Sequence, residues 1–164
     1  MRRRMLGKTG FEVSELGVGT WGLSGEGYGA VAREEVPRVV KRALMMGISL
    51  FDTTPSYAGG AIEEILGECI GPQHSAHVVI RYGTDTSGSL PIKNFHPKFL
   101  LNQMTQSRKR LGKEAKLIGL LHHPTLATAQ GSAASEALEK ARNEGLLDAW
   151  GVSTSSAEVA LAAI

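Results

Sequence analysis

The stretch Ile48-Ser-Leu-Phe-Asp52-Thr-Thr-Pro-Ser-Tyr57-Ala-Gly-Gly60 decides how the chain is read. Its first five residues have the make-up of a buried strand, and a helical stripe of Ile62, Ile65, Leu66, Cys69 and Ile70 begins just after Gly60. Asp52 therefore stands where a strand ends, and Tyr57 on the loop that leads to the next helix. An acid and a phenol so placed can meet at the rim of a parallel sheet, where such sheets keep their chemistry.

Working outward, the same alternation repeats. Upstream, Glu15 to Trp21 reads as a first core strand, with Leu16 and Val18 apolar and Gly17 and Gly19 leaving room for close approach. Val36, Val39, Val40, Ala43 and Leu44 then form one helical face from Arg33 to Met46, stopped by Gly47. Downstream, strands are expected at His77 to Tyr82, Lys116 to His122 and Ala149 to Ser153. Helices are expected at Pro97 to Leu111, Ala133 to Glu144 and from Ser156 to Ile164. Met5 to Val13, with Gly7 and Gly10, suits a small preceding hairpin. Five strands alternating with helices predict a parallel α/β sheet with right-handed crossovers.

Composition excludes more than it selects. The apolar fraction of 42% and charged fraction of 21% are those of a globular chain. Eighteen basic against sixteen acidic residues give +2, too little to point to nucleic acid, and the run Arg2-Arg-Arg4 reads as a solvated terminus. No apolar stretch is long enough to span a membrane, and no apolar signal region follows the arginines. The one cysteine, Cys69, lies on a helical stripe and reads as core packing, consistent with a reducing cytoplasm.

Gly17-Val-Gly-Thr-Trp-Gly22 matches the spacing G-x-G-x-x-G, but a dinucleotide fingerprint should open directly into a helix, and here a loop with Gly25, Gly27 and Gly29 follows. His122 and His123 are neighbours on a strand, so alternation sends them to opposite faces and they cannot share a metal from there. His74 and His77 lack a third ligand, and no metal site is expected. Taken singly, Asp52 also reads as a loop cap, Tyr57 as a loop aromatic and His122 as a structural histidine.

As a set, however, these pieces resemble a known family. FDTTPSYAGG at 51–60 with EEILGE at 63–68, MLGKTGFEVSELGVGTWG at 5–22, LLHHP at 120–124 and GVS at 151–153 are similar, in order, to segments of the aldo-keto reductases. The resemblance implies a (β/α)8 TIM barrel preceded by a β-hairpin. It also implies NADPH-dependent reduction of a small-molecule aldehyde or ketone by a Tyr, Asp, Lys and His set. Three of the four map onto Tyr57, Asp52 and His122.

The lysine does not map. Where the family has a pattern like V-V-I-A-T-K-x-G, this chain reads Val78-Val-Ile-Arg-Tyr-Gly83, so that the lysine's place falls on Gly83, or on Arg81 if two residues are deleted. Arginine would keep the charge but could not relay a proton. For the cofactor the resemblance implies Gly19, Thr20, Trp21 and Asp52, with Ser153 and Thr154 at the family's Ser-Asn pair, which holds the nicotinamide amide. The loop at 23–29 and the segment at 84–95 would shape the substrate pocket.

A complete barrel of this kind needs roughly 250 residues. At 164 residues, residues 1–164 are expected to be a single partial barrel domain of five β/α units that breaks off in the fifth helix. Its two open sheet edges would need more chain, or self-association, to cover them. The expected outcome is an impaired or inactive reductase, and the rival is a non-catalytic scaffold for ligand sensing or protein association.

Overall fold

The computed structural model describes residues 1–163 of the chain; the last residue of the expected final helix, Ile164, lies outside the described residues. A two-stranded antiparallel hairpin, β1 (Arg3–Met5) and β2 (Glu12–Ser14), comes first, followed by β3 (Gly17–Gly19) and α1 (Glu35–Met45). The alternation continues as β4 (Leu50–Thr53), α2 (Ala61–Cys69) and β5 (His77–Tyr82). A second hairpin, β6 (Thr84–Asp85) and β7 (Ile92–Lys93), precedes α3 (Pro97–Leu111) and β8 (Lys116–His122). Then come α4 (Leu126–Gln130), α5 (Ser132–Asn143), β9 (Ala149–Ser153) and α6 (Ala157–Ala162).

The five core strands form one parallel sheet in the order β3-β4-β5-β8-β9. Neighbours in the sheet follow neighbours in the chain, which is the order of a barrel wall rather than of a doubly wound sheet. The two faces differ. Phe51, Val78, Ile80, Tyr82, Leu117 and Leu121 point toward the helices and pack with Val40, Leu66, Leu100, Met104 and Leu138 into one buried core. The alternate residues Asp52, Val79, Arg81, Leu120 and His122 face the other way and are only half-buried. Period-2 alternation thus places the polar candidates on the barrel-interior face.

The helix caps are legible one residue at a time. Pro97 is the first residue of α3, where a missing N–H costs nothing, and the His96 side chain accepts from the Lys98 N–H. Pro37 falls in the first turn of α1, so it breaks no helical hydrogen bond. Cys69 is buried against α1, as its stripe predicted.

Two expectations are corrected. Arg2-Arg-Arg4 is exposed to solvent as expected but is no tail: Arg3 and Arg4 belong to β1, and Glu15 pairs with Arg2 at 2.8 Å and Arg4 at 2.5 Å. Reciprocal bonds between Ser14 and Ser49, each N–H on the other's Oγ at 3.0 and 2.9 Å, fasten that hairpin to the entry of β4. The first core strand is shorter than expected, and Leu16, 61% exposed, lies before the edge strand rather than in the core. Glu63 lies in the first turn of α2 and is fully buried: it accepts from Ser107 Oγ at 2.7 Å and pairs with Arg110 at 2.6 Å, joining α2 to α3.

Candidate active site

The candidate residues gather at the C-terminal ends of the parallel strands because of register. Gly19 pairs with Asp52, Asp52 with Val79, and His122 with Ser153. Arg81 lies two residues beyond Val79, on the same face and nearer the mouth. Its Nη2 reaches Asp52 Oδ1 at 2.6 Å and Tyr57 Oη at 3.1 Å. One guanidinium therefore joins the acid that ends β4 to the phenol on the loop after it.

That loop is held in an unusual shape. Tyr57 opens a 3-10 turn in which Ala58 has φ 49° and ψ 40°, a left-handed conformation disfavoured for a residue with a Cβ. The Ala58 N–H donates to Glu26 Oε1 at 2.9 Å, so the loop after β3 helps to place the tyrosine.

Gly83, where ungapped alignment puts the family's lysine, has no room for a side chain. Its φ is 93°, and a Cβ there would stand 2.2 Å from Phe95 Cε1. The cation at Asp52 and Tyr57 is Arg81.

Burial pushes the Asp52 carboxyl above its ordinary value, and Arg81 offsets part of this. Burial likewise raises Tyr57; Arg81 opposes it, while Asp52 and Glu26 add to it, so the phenol keeps its proton at neutral pH. His122 ends β8, and its Nδ1 is 3.2 Å from Lys93 Nζ. Burial first, then the charges of Lys93, Arg81 and His123, bring the imidazole down to about 4, so it is neutral at pH 7.

Sequence reasoning missed Lys93. It gave the segment 84–95 no secondary structure, whereas β6 and β7 form a hairpin there. The turn residues Ser87-Gly-Ser89 between two short apolar or β-branched runs were the available signal. His123 also departs from the alternation argument: with φ 52° it lies just past the strand, and its ring is tilted against that of His122 at 4.6 Å. Among the described residues no three His, Cys, Asp or Glu side chains are grouped to hold a metal.

The expected cofactor residues surround the same mouth. Around Gly19 an added Cβ would meet nothing within 4 Å, and Trp21 is 45% exposed with its ring 5.3 Å from that of Tyr28. Thr20 is buried, and its hydroxyl donates to the Asp52 carbonyl at 2.9 Å, so it serves the fold. Ser153 accepts through its carbonyl from His123 N–H at 2.7 Å, and Thr154 Oγ1 accepts from Ser156 N–H at 3.0 Å. After Trp21–Ser24, a single 3-10 turn, the chain runs on without an α-helix until α1, so Gly17 to Gly22 is no dinucleotide fingerprint.

Comparison with known proteins bears on the family and the fold. The sequence profile of the aldo/keto reductase family matches residues 15–163. Aldo-keto reductase YhdN of Bacillus subtilis is 27% identical over 162 residues, 96% of this chain and 48% of that protein. Aldo-keto reductase AKR11C1 of Bacillus halodurans, in its holo form, superposes with a TM-score of 0.81 over 94% of this chain and 51% of its own; at 23% identity this likeness concerns the fold. An aldo-keto reductase of Klebsiella pneumoniae in complex with NADPH, 26% identical, has a TM-score of 0.70 over 93% of this chain and 50% of its own. The chain spans about half the length of these relatives, and its parallel strands and hairpin are those of a partial TIM barrel. Among the described residues no helix is long and apolar enough to cross a membrane. The chain belongs to the aldo/keto reductase family.

Proposed function

We propose that residues 1–164 are the first five β/α units of a reductase barrel that converts an aldehyde or ketone to an alcohol with NADPH. The observation that carries this reading is the contact of Arg81 Nη2 with both Asp52 Oδ1 and Tyr57 Oη at the strand ends. NADPH, when bound, supplies the hydride. The open space at Gly19, the exposed Trp21 and the polar Ser153 and Thr154 suit its nicotinamide end, with Asp52 and Thr20 beneath.

The chain's own residues then do the rest. Tyr57, kept protonated, gives its proton to the carbonyl oxygen as negative charge develops there. Arg81 stabilises the phenolate left behind, and Asp52 holds the guanidinium in place. Arg81 does not pass the proton on, since a guanidinium does not titrate in this range. His122, neutral, donates a hydrogen bond that orients the carbonyl.

A second reading has one observation in its favour: a glycine closed off by Phe95 occupies the family's lysine position. On that reading the scaffold binds a ligand or a protein without turnover. The free edges of β3 and β9 would then serve association, which sedimentation would detect.

NADPH oxidation with a panel of aldehydes, by the protein extended to a complete barrel where its reading frame continues, beside a cofactor titration by fluorescence, tests the first reading. Tyr57→Phe should lower turnover by about 100-fold or more with cofactor affinity unchanged. Cofactor binding with no turnover, the same in both proteins, would select the scaffold.

A further inference from the structure

Lys93 has a fixed place. Thr84 and Lys93 are register partners across the β6-β7 hairpin, and Lys93 Nζ bonds Thr84 Oγ1 at 3.0 Å and His122 Nδ1 at 3.2 Å. The hairpin itself is clamped to the sheet. Asn94 N–H donates to the Gly83 carbonyl at 3.0 Å, Gln103 Nε2 donates to the Thr84 carbonyl at 3.0 Å, and the Phe95 ring fills the space over Gly83.

An ammonium group is a donor only, whereas each imidazole nitrogen is a donor or an acceptor according to its proton. The nitrogen facing Lys93 must therefore be the bare one. The charged or titratable groups acting on the ring are Lys93 from the hairpin, Arg81 from β5 and His123 beyond β8, and each disfavours a second ring proton.

We propose that Lys93 is a positioning residue for His122: its ammonium, steadied by Thr84, donates to Nδ1 and leaves the ring's one proton on Nε2, the nitrogen available to a substrate carbonyl oxygen. The consequence for catalysis rests on the carbonyl-reduction reading; the assignment of the tautomer does not. Lys93 stands apart from Asp52 and Tyr57, whose cation is Arg81, so the mouth divides its two cations between the proton donor and the orienting donor.

Long-range proton–nitrogen NMR of the ¹⁵N-labelled chain reads the tautomer directly. In the unmodified protein His122 should be a single neutral species with its proton on Nε2, down to a midpoint of about 4. Lys93→Met should give a mixture of tautomers and move the midpoint up by about one pH unit, while Lys93→Arg should preserve the single species. Should Lys93→Met disturb the hairpin, Thr84→Val, which frees the lysine, should give the same mixture.

A proton on Nδ1 in the unmodified protein, or an unchanged His122 spectrum in Lys93→Met, overturns the proposal. If the protein reduces carbonyls, Lys93→Met should lower kcat with little change in KM for the cofactor. If the protein completed to a full barrel shows no turnover while its tautomer still responds to Lys93, carbonyl reduction is refuted and this inference stands.

Discussion

Placing lysine at Gly83, which restores the aligned family residue, should damage the protein rather than improve it. Two effects act together at that position. The backbone has φ 93°, and holding a residue with a Cβ in a left-handed conformation costs about 1–2 kcal/mol. The new Cβ would also stand 2.2 Å from Phe95 Cε1 and 2.6 Å from its Cδ1, contacts that force the ring or the strand to move. Overpacking of this kind adds about 1–3 kcal/mol, so Gly83→Lys should lose about 2–5 kcal/mol.

Urea unfolding followed by circular dichroism measures the loss, and a cycle with Phe95→Ala separates the two causes. With Gly83→Ala as the partner, the double variant should be less destabilised than the two single losses added together, by about 1–3 kcal/mol, while the left-handed cost remains. A Gly83→Lys protein within about 0.5 kcal/mol of the parent would refute the argument. It would mean that a lysine fits there, and that Arg81 is not the forced alternative.

Asp148 gives a pH test. Burial works to raise its carboxyl, but the Lys116 ammonium at 2.8 Å, the Leu117 N–H at 2.9 Å and the Arg108 guanidinium at 3.1 Å outweigh it and hold it below 3.8. A lowered folded value means that the stabilisation is present above the unfolded value and lost as pH falls through the folded one. Asp148→Asn should therefore cost about 1–3 kcal/mol at pH 7 and show less further loss below pH about 4 than the parent, read by urea midpoints across pH. Cys69, buried and with its thiol raised by that burial, should react with a maleimide at least about 100-fold more slowly in the folded protein than in urea; equal rates would place it outside the core.

Much of this was legible in the chain itself. The helical stripe from Ile62 to Cys69, Pro97 opening α3, Gly112 closing it and five spaced β-rich runs all lie within local reach of their causes. Periodicity, caps and turn residues act over a few residues, so a parallel sheet with helices between its strands follows from them. Asp52 and Tyr57 could be placed at the rim of the sheet for the same reason, since strand ends are local, whereas His122 stood out only through the family resemblance.

What only the tertiary structure decided was which groups meet. Alignment left the cation open between residues 81 and 83. The choice came from Phe95, twelve residues on, closing the space over Gly83, and from the pairing of Asp52 with Val79, which brings Arg81 onto the same face. Lys93 reaches His122 across 29 residues through a hairpin too short to leave a periodic trace, and Glu63 is buried because α3 brings Ser107 and Arg110 to it. A sequence pattern reports the face on which a side chain lies; contacts between distant segments depend on register and packing, which exist only once the chain has folded.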